Sequence, residues 1–407
     1  MTAAMPHTHS VSIGFFIGAG SRYENTNEAG ISHFIEHLCF KGTAERPTAA
    51  EVCTVIEGVG GMINAGTDKE LTIYWCKVAQ PHFHVALEVM TDMLHNSLFA
   101  SEEIEKERQV IIEEINMSLD SPSQRVALLI DEILWPGHPL GRDIAGSRES
   151  VVGIDRNMLL DYMSRRYRPD NIVLVIAGDI RHREVVAAVK RYVSDWDGDK
   201  TDTGYVRYRD TNGQRVIIEN RDTEQAQLCL ALPGLSVVHP DRFKLDLLNV
   251  VLGEGMTSRL FTEIRDNLGL AYNIHSYTEH FLDTGAMAIA AGVDVKNLKM
   301  AVQSILKELA RFKEVMPDKE LSKARELFKG RILLRMEDSR NVAGWIGGQE
   351  ILTGNILSVE EVIEAIESIT AEEIKQLADR IFNGESLRLA VVGPVNPDEP
   401  LEELLEL

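Results

Sequence analysis

Polar and apolar residues alternate through "HSVSIGFFIG" (9–18) and again through "AQLCLALPG" (226–234). A period of two predicts strands with one buried face. Between them, "GGMINAGTDKELTIYWCKV" (60–78) reads as a Gly-Gly turn, a short strand, a polar turn and a second strand. Helical periodicity then covers 81–97 and 101–119. Several features recur about 215 residues apart. The apolar ending "NIVLVIAGDI" (171–180) is echoed by "SLRLAVVGPV" (386–395), so Gly178 and Gly393 close similar strands. Upstream of each stands an amphipathic helix opened by a capping residue, Asp155 or Thr370. A third echo pairs "EEIEKER" (102–108) with "KELSKAR" (319–325). These echoes predict an α+β protein of two homologous domains, 1–195 and 205–407, each a mostly antiparallel sheet packed with helices. The polar stretch "SDWDGDKTDTG" (194–204) is the candidate linker.

Composition narrows the function. The 407 residues are 44% apolar and carry a formal charge of −21, and no tract is long and apolar enough to span a bilayer. Such acidity argues against nucleic acid as a partner and suits extended or basic peptides. Four irregularly spaced cysteines, Cys39, Cys53, Cys76 and Cys229, give no disulfide framework and read as small buried residues in a reducing compartment. "MTAAMPHTHSVSIGFFIG" lacks the features of a secretory signal, so the expected location is the cytoplasm. His7, His9, His138, His275 and His280 read as surface or loop residues.

Chemistry concentrates in "GISHFIEHLCFKGT" (30–43). On a helix, His33 and His37 lie one turn apart on one face, and Glu36 flanks it. Neutral imidazole is a good zinc ligand, and a carboxylate beside the ion can take a proton from attacking water. The trio is the reverse order of His-Glu-x-x-His. An amphipathic helix with histidines at the rim of a core fits the same stretch. A catalytic zinc needs a third protein ligand, and "EKERQVIIEEINMSLDSP" (105–122) offers one. Val110, Ile111, Ile112 and Ile115 would pack, while Glu107 and Glu114 lie two turns apart on one face. Glu114 would complete a His, His, Glu set, and Glu107 would ligate weakly or orient a ligand. An ordinary acidic solvent face is the alternative. In the second half the matching positions are Ala324 and Arg331, so the pattern is asymmetric.

Together with "GAGSRYE", "NAGTDKELTIYW", "HPLGRDIAG" and "GMTSRLFTEIRDNLGLAY", these stretches resemble blocks of the pitrilysin family of zinc peptidases, in family order and over nearly the whole chain. That family includes insulin-degrading enzyme, the mitochondrial processing peptidase and short bacterial relatives. The spacing from His37 to Glu114 also matches. The resemblance implies half of a clamshell, one zinc ion per chain on His33, His37 and Glu114, Glu36 as general base and Glu107 as supporting carboxylate. It implies that Arg265 and Tyr272 hold the substrate and its tetrahedral intermediate from a facing half-shell. A peptide would add as a strand along 62–66, at Asn64 and Ala65. The implied substrates are unfolded peptides or leader segments, cut inside a homodimer or a heterodimer with a related chain. A non-catalytic subunit of such a heteromer is the competing expectation. Two departures stand out: the family pattern carries a further strand ahead of residue 1, and Gly66 stands where an aromatic residue is common.

Overall fold

The computed structural model describes residues 1–194, 196, 204–209 and 213–407, so most of the expected linker lies outside the described residues. The chain forms two compact units. The first holds five strands, β1 (Thr2–Ala4), β2 (Ser10–Ile17), β3 (Met62–Thr67), β4 (Thr72–Ala79) and β5 (Ile172–Gly178), in the order β1-β5-β2-β4-β3. The second holds β6 (Val216–Asn220), β7 (Ala226–Pro233), β8 (Ala271–His280), β9 (Gly285–Val293) and β10 (Arg388–Gly393), in the order β6-β10-β7-β9-β8. In each sheet a single pair is parallel, β1 with β5 and β6 with β10, and the rest are antiparallel. The α+β class and the internal repeat are thus both present. Asp155 and Thr370 cap their helices as expected, accepting from the backbone N–H of Met158 and Glu373.

The units are not the contiguous halves 1–195 and 205–407. Unit one comprises Met1–Asn116, Arg142–Val206 and Leu334–Ile356; unit two comprises Met117–Gly141, Arg207–Leu333 and Leu357–Leu407. Two helices are exchanged. The Pro122–Leu134 helix packs Val126, Leu129, Ile130 and Ile133 against β7 and β10 of the second sheet. The Ser339–Thr353 helix packs Ala343, and partly buried Val342 and Ile346, against β2 and β5 of the first. The reason lies in the strands. β2 is buried at every position but its first, so it is not half-exposed as strict alternation suggests. Phe15 pairs with Tyr74 on one face, and Phe16 pairs with Ile73 on the other. Both faces are apolar, and each needs a cover.

The covering helix is anchored at its start. Asp338 accepts from the Arg340 N–H at 2.7 Å and also pairs with Lys77 at 2.7 Å. Ser339 and Ser12 share a buried hydroxyl contact of 2.8 Å. Further along, Gly347 lets the Phe16 ring lie directly on the helix, where a Cβ would overlap it.

Two histidines expected at the surface are partnered instead. His138 is buried and its Nδ1 accepts from the Leu140 N–H at 3.2 Å. His280 ends β8 with Nδ1 2.6 Å from the Leu235 carbonyl oxygen and Nε2 2.9 Å from Asp246 Oδ1. Both partners are acceptors, a setting that favours a proton on each ring nitrogen. Burial opposes that charge and so does Arg242, but the hydrogen bond and charge of Asp246, with the Leu235 carbonyl, hold the ring above its ordinary value.

Gly347→Val should cost about 1–3 kcal/mol by overpacking against Phe16, measured by denaturant unfolding; wild-type stability would show that the ring contact is slack. His280 is protonated more readily folded than unfolded, so its contribution is complete below pH 6.5 and lost as pH rises through the higher folded value. Unfolding free energy should therefore fall over that window, and His280→Gln should remove that part of the slope. An identical slope in the variant would refute the assignment.

Candidate metal centre

The Ile31–Cys39 helix is built to present its histidines. Ile31, Phe34, Ile35, Leu38 and Cys39 are buried, which turns His33 and His37 toward the half-buried side. Gly30 opens the helix with φ of 91°, a left-handed conformation that glycine tolerates, and a Cβ there would collide with the Ala145 carbonyl. Glu24 fixes the same end. Its carboxylate accepts from the Gly30 N–H at 2.8 Å and from the Ser32 N–H at 2.9 Å. Burial pushes the Glu24 carboxyl up to about 6, while the Ser32 and Gly30 N–H groups and the Arg142 charge pull it down. At neutral pH it remains mostly ionised at the positive end of the helix dipole. Ser32 Oγ also meets the buried Tyr162 hydroxyl at 2.8 Å.

The Ser101–Asp120 helix brings the third donor. Glu114 Oε2 lies 3.8 Å from His33 Nε2 and 3.7 Å from His37 Nε2, and one donor atom from each of the three residues falls within 4.8 Å of the others. Among the described residues this is the one such group. The donor chemistry, two imidazole nitrogens and a carboxylate oxygen, fits zinc with a position left for water or substrate. Burial, and then the neighbouring His37, draw His33 down to about 4, so it is neutral at physiological pH, the state that ligates. His33 Nδ1 is buried with no hydrogen-bond partner among the described residues. For His37 burial acts downward, but the hydrogen bond its Nδ1–H donates to Glu107 and the charges of Glu36, Glu114 and Glu107 together raise it.

Glu107 does not lie on an open acidic face: it is 4% exposed and places Oε2 3.0 Å from His37 Nδ1, outside the three-residue donor group. Burial pushes its carboxyl up, but His37 and Lys41 hold it below the usual range. On the same helix Ile111, Ile112 and Ile115 are buried as expected, whereas Val110 is exposed. Glu36 Oε2 accepts from Thr67 Oγ1 at 2.8 Å. Burial raises the Glu36 carboxyl above its ordinary value, with the Thr67 hydrogen bond opposing. Glu24, Thr67 and Lys41 carry no helical spacing relative to the histidines or lack a telling residue type, and sequence reasoning did not select them.

Thr67 ends β3, which among the described residues has a strand partner, β4, on one side only. Asn64 is exposed on this edge strand, and its Oδ1 accepts from the Ala65 N–H at 2.8 Å. A Cβ at Gly66 would meet nothing within 4 Å. In the second unit, Arg265 sits in a π-helical stretch, Phe261–Asn267, with its guanidinium carbon 4.7 Å from the centre of the Tyr272 ring. Tyr272 is 77% exposed. The pair is therefore brought together, with Tyr272 open to solvent and Arg265 half-buried. The second unit's counterparts of Glu107 and Glu114 are a buried Ala324 and an Arg331 that ion-pairs with Glu254. There a guanidinium stands where the first unit has the Glu114 carboxylate. Among the cysteines, Cys39, Cys76 and Cys229 are buried free thiols and Cys53 is half-buried.

Glu24→Ala would leave two N–H groups of the histidine helix without their acceptor. It should lower stability by about 2 kcal/mol and weaken metal binding with it, read by thermal unfolding with and without added zinc. A variant as stable as wild type would remove Glu24 from the architecture of the site.

Comparison with known proteins now bears on this geometry. Residues 1–148 match the family described as Insulinase (Peptidase family M16), and residues 153–328 match the Peptidase M16 inactive domain. The chain is 34% identical to the Bacillus subtilis protein YmxG, named an uncharacterized zinc protease, over 96% of this chain and 94% of that one. It is 35% identical to an uncharacterized zinc protease of Rickettsia bellii, over 97% and 95%. The crystal structure of a protease from Helicobacter pylori shares the fold with a TM-score of 0.91 at 21% identity, covering 97% of this chain and 96% of that one. The donor group lies within residues 1–148, which match the Insulinase description, and Ala324 lies within residues 153–328, which match the inactive domain. This chain belongs to peptidase family M16, the pitrilysin family.

Proposed function

We propose that the protein is a zinc-dependent endopeptidase that hydrolyses unfolded peptides or leader segments. The observation that carries this reading is the convergence of His33, His37 and Glu114 with Glu36 held beside them on the same helix. Zinc bound by those three residues would polarise the scissile carbonyl and acidify water. Glu36 is the general base: it takes the proton of the attacking water and returns it to the departing amine. Thr67 keeps the Glu36 carboxylate oriented from the end of β3. That strand's open edge is the natural place for an extended peptide to pair through main-chain hydrogen bonds, with Asn64 and Ala65 as first contacts. Main-chain recognition tolerates many sequences, and the open space at Gly66 admits a bulky substrate side chain.

Arg265 and Tyr272 supply a guanidinium and a phenol suited to a substrate carbonyl and its developing oxyanion. In this reading they serve the metal centre of a second copy of the chain in a homodimer, although a related chain could take that place. The acidic surface favours basic peptides, and the cytoplasm is the proposed location. A purely structural subunit would have no need to retain two imidazoles, a third donor and a hydrogen-bonded base together.

Wild type and Glu36→Gln should both carry zinc by metal analysis, while cleavage of quenched peptides falls by on the order of 10²–10⁴ in the variant and is abolished by chelator in wild type. Equal cleavage by both proteins would exclude Glu36 as the base. Full activity of the purified chain alone would exclude an obligatory heteromer.

A further inference from the structure

Lys41 lies just beyond the histidine helix. Its N–H closes onto the Leu38 carbonyl at 3.0 Å, while the Phe40 N–H closes onto that of His37 at 3.2 Å. The next residue, Gly42, has φ of 131°, and a Cβ there would collide with the Pro47 carbonyl, so the chain turns away at once. This holds the Lys41 backbone at a fixed place one turn past His37. Its ammonium reaches Glu107 Oε1 at 2.5 Å, and the other oxygen of the same carboxylate holds His37 Nδ1 at 3.0 Å. The lysine side chain is 28% exposed and the glutamate side chain 6%.

This is not an ordinary surface ion pair. A carboxylate buried to that degree with only an imidazole beside it would lack a compensating charge. The terminal torsion of a glutamate is also soft, and a single partner leaves the carboxylate plane free to swing. Lys41 answers both needs by occupying one oxygen and leaving the other directed at the ring. Both ends of the bridge spring from one helix terminus, so Glu107, arriving from the Ser101–Asp120 helix, is gripped at two points.

We propose that Lys41 is a positioning residue of the metal centre: it fixes the Glu107 carboxylate so that Glu107 can orient His37 as a ligand. The inference rests on the zinc-site reading above. It also separates Lys41 from the exposed lysines of the chain, such as Lys106 paired with Glu103, which have no path to a donor atom.

The test is zinc affinity by competition with a chromophoric chelator, with the absorption bands of the cobalt-substituted protein as a second readout, across wild type, Lys41→Met, Lys41→Arg, Glu107→Gln and the Glu107→Gln/Lys41→Met double variant. Lys41→Met should bind zinc roughly tenfold to a hundredfold more weakly and alter the cobalt bands. Lys41→Arg should restore most of the affinity, and Lys41→Met should cost nothing further once Glu107 is glutamine. Should Lys41→Met fold poorly, the arginine variant and the comparison within the Glu107→Gln background still decide the matter. Wild-type affinity in Lys41→Met, or the same loss with and without Glu107, overturns the proposal while leaving the zinc site intact. Failure of wild type to bind zinc at all overturns both.

Discussion

Everything in the first unit depends on covering both faces of its central strands. Phe15 and Tyr74 face the side on which Phe40, at the end of the histidine helix, lies 6.4 Å from the Tyr74 ring. Phe16 and Ile73 face the other way, against the Ser339–Thr353 helix. Apolar burial on two faces makes the sheet a rigid layer, and the metal helix is packed on a surface that cannot shift without disturbing its reverse side. The second unit repeats the solution with the Pro122–Leu134 helix laid over β7 and β10. The duplication visible in the sequence is therefore a duplication of sheets, each completed by a helix encoded in the opposite half.

On that layer the two histidines are held by different forces. His33 is seated by packing, with a ring nitrogen buried away from any acceptor among the described residues, and burial keeps it neutral. His37 is seated by hydrogen bonding, its outer nitrogen directed at Glu107. One histidine is thus sensitive to volume and the other to charge, and the Glu114 carboxylate between them, half open to solvent, is the most accessible of the three. The mixture leaves one wall of the site accessible while the other two are fixed.

The sequence was most legible where periodicity and chemistry coincide. His33 and His37 at one-turn spacing, and Glu107 and Glu114 at two, announced themselves because a helix maps such spacings onto one face. The repeat of glycine-terminated apolar runs showed that the two halves close on similar strands. Glu24 and Thr67 remained hidden because each acts across a tertiary contact, and a glutamate ahead of a helix or a threonine closing a strand is common. The exchanged helices were hidden for a related reason: an amphipathic pattern says that a helix has a buried face, never which sheet will meet it. The same blindness made β2 read as half-exposed, since alternation seen through Val11, Ile13 and Phe15 is silent about a helix more than 300 residues away. His280 was missed because its two acceptors, a backbone carbonyl and an aspartate on another element, leave no local trace.

The exchange of helices also sets an order of events during synthesis. Chains emerge N-terminus first, and domains ordinarily fold as they appear. Here the strands and histidine helix of the first unit are complete long before residues 339–353, and until those residues arrive one face of β2 and β5 has no cover. The first sheet thus gains its second apolar cover only from a segment made well after its last strand, and its core is shared between distant parts of the chain.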